Sequence, residues 1–192
     1  MGKLDQYLAN RDLMKTGDML EWRSSSLLGK AIRMFTKKDV NHTGTVFIIP
    51  PQNNEDEAHV YTLEAAPKKY ESNRLSACLE KFEGEVYWYP LNKYLDALRN
   101  KGIGWLLEQD GKEYDYGSLF RNMAGSVNTD ARKLFCSEAH FFYLVISGML
   151  PQFYFDVQDN VIRNVRGGSV AKAPRPGEFG QFNIYEKRVQ IL

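Results

Sequence analysis

One of the two cysteines in the chain, Cys136, opens an apolar run, 134-LFCSEAHFF-142, with Glu138 two residues and His140 four residues further on. Such a cysteine can be a nucleophile, a metal ligand or a small buried side chain at the start of a core helix. In the first turn of a helix the unpaired backbone N–H groups and the helix dipole favour the thiolate. The same N–H groups can hold an oxyanion. A nucleophilic thiol also needs a base within hydrogen-bond reach, and the chain offers three histidines: His42, His59 and His140. His140 shares a helix face with Cys136, but a base beneath the nucleophile on its own helix is poorly placed to serve a substrate, so it reads as packing. His59 starts a strand beside an acidic loop and reads as a surface residue. His42, in 41-NHTGTVFII-49, stands at the entrance of a buried strand, where a side chain projects into whatever cleft that end borders. Gly44 permits close backbone approach there.

A base histidine works best when a third group fixes its tautomer. Glu64 is the candidate, a carboxylate within the apolar run Tyr61, Leu63, Ala65, Ala66; the plain alternative is an alternating strand with Glu64 facing solvent. A metal site would draw on His42, His59, His140, Cys136 and Glu64, yet no H-x-x-x-H, H-x-H or C-x-x-C spacing exists. Phosphate-binding loops (G-x-x-x-x-G-K-[ST], G-x-G-x-x-G) and the G-x-S-x-G elbow are also missing. No cofactor is therefore expected.

The elements that must position these residues read as follows. Residues 3–15 form a short helix or arm, and 18-DMLEWR-23 a strand after the Gly17-Asp18 turn. The stretch 24–36 is a helix capped by Ser24 or Ser25, with one apolar face of Leu27, Leu28, Ala31, Ile32 and Phe35. Strands at 43–49 and 58–65 make a hairpin around the acidic loop 52–57, with Pro50-Pro51 ending the first. A helix near 73–82, a strand at 85–91 and a helix over 92–108 follow, the last with Tyr94, Leu95, Leu98 and Leu106 on its buried side. Turn chemistry occupies 111–120 and a polar loop 125–133. The Cys136 helix runs to Gly148, and short strands lie at 153–157 and 182–186. Helices and strands mix without a βαβα rhythm, which places the chain in the α+β class.

The 192 residues are 43% hydrophobic and 26% charged, enough for one packed domain. A net charge of +1 argues against a nucleic-acid partner held by bulk electrostatics. No run of 18 apolar residues and no signal-peptide h-region occur, and Gln6 breaks the myristoylation pattern after Gly2. A cytoplasmic protein without stable membrane insertion is the expectation. Two cysteines make no disulfide framework, which fits a reducing compartment.

The order 17-GDMLEWRSS-25, helix, 41-NHTGTVFII-49, 61-YTLEAAP-67, 114-YDYGSLF-120, 135-FCSEAHF-141 and 174-PRPGEF-179 resembles the circularly permuted branch of the NlpC-type papain-like cysteine hydrolases, the YiiX-like group. The resemblance covers nearly the whole chain after residue 16. Its most specific parts are Asn41-His42-Thr43-Gly44 and Phe135-Cys136-Ser137-Glu138. It implies a small antiparallel sheet or barrel packed against the cysteine helix, in one permuted domain over 17–192 preceded by an arm over 1–16. By motif, Cys136 matches the nucleophile, His42 the base, Glu64 the residue that orients it, and Tyr114 a tyrosine that assists the oxyanion hole, with Tyr116 two residues away. His42 precedes Cys136, as permutation implies. The arm, the acidic loop 52–57 and the long connection from Tyr114 to Cys136 depart from the compact relatives. The implied activity is hydrolysis of a peptide-type amide, such as a cell-wall peptide, through an acyl-enzyme. Lipid amides or esters, or an inert binding module, are the alternatives.

Overall fold

A computed structural model of the chain describes residues 2–51, 57–65, 69–112 and 136–192. Its centre is a six-stranded antiparallel sheet built from β1 (Met19–Ser24), β2 (His42–Ile49), β3 (His59–Ala65), β4 (Tyr70–Arg74), β5 (Gly84–Tyr89) and β8 (Val189–Gln190), in the spatial order β4-β3-β2-β1-β5-β8. A separate hairpin pairs β6 (Phe153–Asp156) with β7 (Val161–Asn164). The helices are α1 (Asp5–Asn10), α2 (Leu27–Thr36), α3 (Leu75–Lys81), α4 (Ile103–Leu107) and α5 (Cys136–Ile146). Short 3-10 turns lie at Arg11–Leu13, Lys93–Leu98 and Phe179–Gln181. The fold is thus α+β.

The sheet is apolar on both sides, and each side has its own core. Alternation along β1 sends Met19 to one side, with Leu63, Ala65, Tyr89 and the buried helix α5. It sends Leu20 and Trp22 to the other, with Val46, Val60, Leu75, Leu79, Val86 and Trp88. Tyr7 and Met14 join this second cluster. Helix α5 is apolar all round, and all of its residues from Cys136 to Val145 are buried; such a helix must be covered on every side.

The strands at 18–23, 43–49 and 58–65 and the Cys136 helix form where the sequence indicates. Several elements differ. Residues 70–74, polar apart from Tyr70, pair with β3 as an edge strand before α3 begins. The helix expected over 92–108 is broken: a 3-10 turn ends at Leu98 and α4 starts at Ile103. The break lets Arg99 turn inward to Asp18, its NH1 2.6 Å from Oδ1. Leu95 and Leu106 are buried, as the periodicity indicates, whereas Tyr94 is exposed. No strand forms over 182–186, where only an isolated Leu91–Tyr185 bridge occurs; the C-terminal strand is Val189–Gln190 beside β5. Ser26, rather than Ser24 or Ser25, caps α2 by accepting the Gly29 N–H at 3.1 Å. The apolar face of α2 points largely away from the protein: Ile32 is buried, but Leu27, Leu28 and Phe35 are exposed.

Gly17 and Asp18 anchor the sheet to α5. Asp18 accepts from Trp88 Nε1 (2.8 Å), the Leu91 N–H (2.9 Å), the Lys15 N–H (2.9 Å) and Arg99. Gly17, at φ +89°, leaves room for the Tyr143 hydroxyl, which a Cβ there would meet at 1.8 Å. Tyr143 in turn donates to the Arg99 carbonyl at 2.8 Å.

Candidate active site

Antiparallel pairing brings His42 and Glu64 together. Thr45 lies opposite Leu63, so Gly44 faces Glu64, and His42 falls on the same side of the sheet two residues on. The His42 Nε2–H donates to Glu64 Oε2. Gly44 makes this close approach possible: a Cβ there would meet Thr62 Oγ1 at 2.6 Å and the Glu64 Cβ at 3.5 Å. The His42 side chain is 21% exposed and that of Glu64 10%.

Helix α5 begins with Cys136, whose thiol lies close enough to the His42 ring to act on its protonation. With Nε2 committed to Glu64, Nδ1 is the nitrogen left for sulfur. Burial alone would lower the His42 pKa. The negative charge and hydrogen bond of Cys136, followed by those of Glu64, outweigh burial and push it up to about 10. The Cys136 side chain is buried, at 2% exposure. Cys78 is half-buried, and burial, then the charges of Glu64 and Glu71, push its thiol up to about 11. The two cysteines therefore differ in kind: Cys136 has the His42 imidazole beside it, whereas at Cys78 burial and two carboxylates outweigh the one opposing charge, that of Lys81.

His140 is engaged elsewhere. Its Nδ1 lies 2.7 Å from Thr45 Oγ1 and its Nε2 2.6 Å from the Tyr185 hydroxyl. Burial pushes its pKa down to about 3, so it is a neutral strut between α5, β2 and the C-terminal segment. His59 lies at the start of β3, 3.1 Å from Arg74 NH2. Tyr114 and Tyr116 lie outside the described residues, as do most of the loop 52–57 and the stretch 113–135.

Other residues that shape the site are less evident in the sequence. Ser137 Oγ donates to the Pro174 carbonyl at 2.6 Å, which brings the 174-PRPGEF-179 segment alongside the start of α5. Glu21 is fully buried and accepts the Gly177 N–H at 2.7 Å, pinning that segment to β1. Burial raises the Glu21 pKa to about 7. One signal could have found Glu21, because it is a carboxylate between Leu20 and Trp22, the same anomaly that singled out Glu64.

The arrangement has the parts of an acyl-transfer site: a thiol at the first residue of a helix, an imidazole on the neighbouring sheet and a carboxylate behind it. No family model matches the chain, and no curated protein does. Its architecture belongs to a class of α+β proteins with a buried helix packed on an antiparallel sheet. A solved structure of similar fold is that of the metalloprotein YiiX from Escherichia coli O157:H7, DUF1105. The TM-score is 0.54 and the identity 23%, over 70% of this chain and 67% of that chain. At this identity the likeness concerns the fold.

Proposed function

We propose that the chain is a thiol hydrolase of the permuted NlpC-type papain-like kind, with Cys136, His42 and Glu64 as its working residues. The observation that carries this reading is the shared use of one imidazole: Glu64 on one nitrogen and the Cys136 thiol as the second partner. His42 takes the thiol proton, and Cys136 Sγ attacks the carbonyl carbon. The carbonyl π electrons move to oxygen, where the backbone N–H groups at the start of α5 meet the charge. Collapse expels the leaving amine, which receives its proton from His42 and leaves a thioester on Cys136. Water, deprotonated by the same ring, then releases the acid and restores the thiol. Tyr114, by its motif, adds a hydroxyl to the oxyanion site.

The bond is an amide of peptide type, and acyl amides or esters of lipids are the second class the same chemistry serves. YiiX is a metalloprotein. In this chain the described residues offer no group of three or more His, Cys, Asp or Glu suited to a metal. The His42 nitrogen and Glu64 oxygen that could ligate one are bonded to each other, so no step is routed through a metal.

The test is hydrolysis of a panel of peptide amides and acyl esters by wild type, Cys136→Ala and His42→Ala. Loss of turnover in both variants supports the reading. Full turnover in both, on a substrate the wild type cleaves, overturns it.

A further inference from the structure

Helix α2 carries three stripes. Gly29, Ile32 and Thr36 face the protein and are buried. Leu27, Leu28, Ala31, Met34 and Phe35 form a second stripe, with Leu27 86%, Met34 70%, Leu28 56% and Phe35 55% exposed. Lys30 and Arg33 form the third, along one border of the apolar stripe, and Lys37 follows them at the helix C-cap. Between Leu27 and Lys38 there are four basic residues and no acidic one, in a chain whose net charge is only +1.

A surface helix of a water-soluble domain ordinarily turns its apolar stripe inward. Here the stripe faces outward, with its four large side chains each more than half exposed. Large apolar side chains beside lysines and an arginine are the composition of a helix that lies in a bilayer interface. The apolar groups enter the acyl boundary and the cations meet anionic headgroups. The positive charge argues against a second copy of this chain as the occupant, since two such helices would bring like charges together.

We propose that α2 is an interfacial helix that docks the protein on an anionic membrane surface. Docking would place the candidate site at that surface, because α2 is tied to the residue before His42. Arg33 NH1 donates to the Ser24 carbonyl at 2.6 Å and to Asn41 Oδ1 at 3.2 Å, and Asn41 Oδ1 also accepts the Ser24 N–H at 2.8 Å. The docking is peripheral; none of the described helices is long and apolar enough to cross a membrane. It does not depend on Cys136 being a nucleophile.

The experiment is co-sedimentation of the full chain with phosphatidylcholine vesicles, with and without phosphatidylglycerol, alongside its oligomeric state in solution. Wild type and Cys136→Ala should bind the anionic vesicles equally, so this result is read apart from any loss of hydrolysis. Binding should weaken as salt rises. The double variants Leu27→Ser with Phe35→Ser, and Lys30→Gln with Lys37→Gln, should each lower partitioning by about tenfold or more while the fold persists. Failure of the folded wild type to bind either vesicle overturns the proposal, as does binding that neither double variant changes. A dimer that the Leu27→Ser, Phe35→Ser variant dissociates, without vesicle binding, assigns the face to a second copy and likewise overturns it.

Discussion

Glu64 and His42 lie on adjacent antiparallel strands, with Gly44 between them on the same side of the sheet, and the carboxylate accepts the imidazole Nε2–H. The bond holds the ring by Nε2 and leaves Nδ1 for a second partner. Replacing Glu64 separates orientation from charge. Glu64→Gln keeps an acceptor and removes the charge, whereas Glu64→Ala removes both. Alkylation of Cys136 by iodoacetamide at neutral pH should slow by about tenfold in the first and further in the second, the tenfold corresponding to about one pKa unit of lost interaction. Wild-type rates in both variants would remove Glu64 from the site.

His140 gives the opposite expectation. His140→Leu leaves the Thr45 and Tyr185 hydroxyls without their ring partner and should cost about 1–3 kcal/mol in urea unfolding. The pH profile of Cys136 alkylation should stay as in wild type. The His140 pKa is lowered to about 3 in the folded protein. The folded state therefore binds fewer protons than the unfolded chain below about pH 6.5, and its stability falls as pH drops from there toward 3. The variant should lose this part of the acid sensitivity. An altered alkylation profile in His140→Leu would make His140 a participant in the chemistry.

Glu21 has the reverse sign. Its pKa rises to about 7 on burial, so between about pH 4.5 and 7 the folded state binds more protons than the unfolded one. Stability from this group declines as pH rises through that window and stays low above it. Glu21→Gln keeps an acceptor for the Gly177 N–H and should flatten the decline, gaining on the order of 3 kcal/mol at pH 8. Urea titrations of both proteins at pH 5 and pH 8 measure it, and parallel pH dependence in the two would show that Glu21 ionises normally.

Asp18 tests the scaffold behind the site. Its carboxylate collects Arg99, the Trp88 indole and two backbone N–H groups where β1 meets α5. Asp18→Ala leaves the buried Arg99 with only the part-exposed Asp96 as carboxylate partner and strips the Trp88 indole and two backbone N–H groups of their acceptor, and should cost about 3 kcal/mol. Thermal or urea unfolding reads the loss; a change below about 1 kcal/mol would mean that water replaces the carboxylate.

What the sequence reveals here follows physical range. The β-branched run at 43–49 and the apolar helix from Cys136 declare themselves, because local pattern decides them. Cys136, His42 and Glu64 are nameable from position and type, and strand register then brings His42 and Glu64 together. The edge strand Tyr70–Arg74 is hidden because its residues are mostly polar, and β8 because two residues carry no period. The helix 92–108 misleads because the inward turn of Arg99 to a distant Asp18 interrupts it. Amphipathicity finds most of the apolar stripe of α2 but assigns Ile32 to it, whereas Ile32 is buried on the opposite side, and periodicity cannot say which way the stripe points. Glu21 carried the same signal as Glu64 and shows that the signal marks burial as readily as chemistry.

The central claim is that His42 activates Cys136. Its most direct measurement is the rate of iodoacetamide labelling of Cys136 and of Cys78 between pH 6 and 8, in wild type and in His42→Ala. Cys78, with its thiol pushed up to about 11 by burial and the Glu64 and Glu71 charges despite Lys81, serves as the internal reference. Fast labelling of Cys136 near pH 6–7, far ahead of Cys78 and lost in folded His42→Ala, is the predicted result. Slow labelling of Cys136 at a rate like that of Cys78, or fast labelling that His42→Ala leaves unchanged, would contradict it.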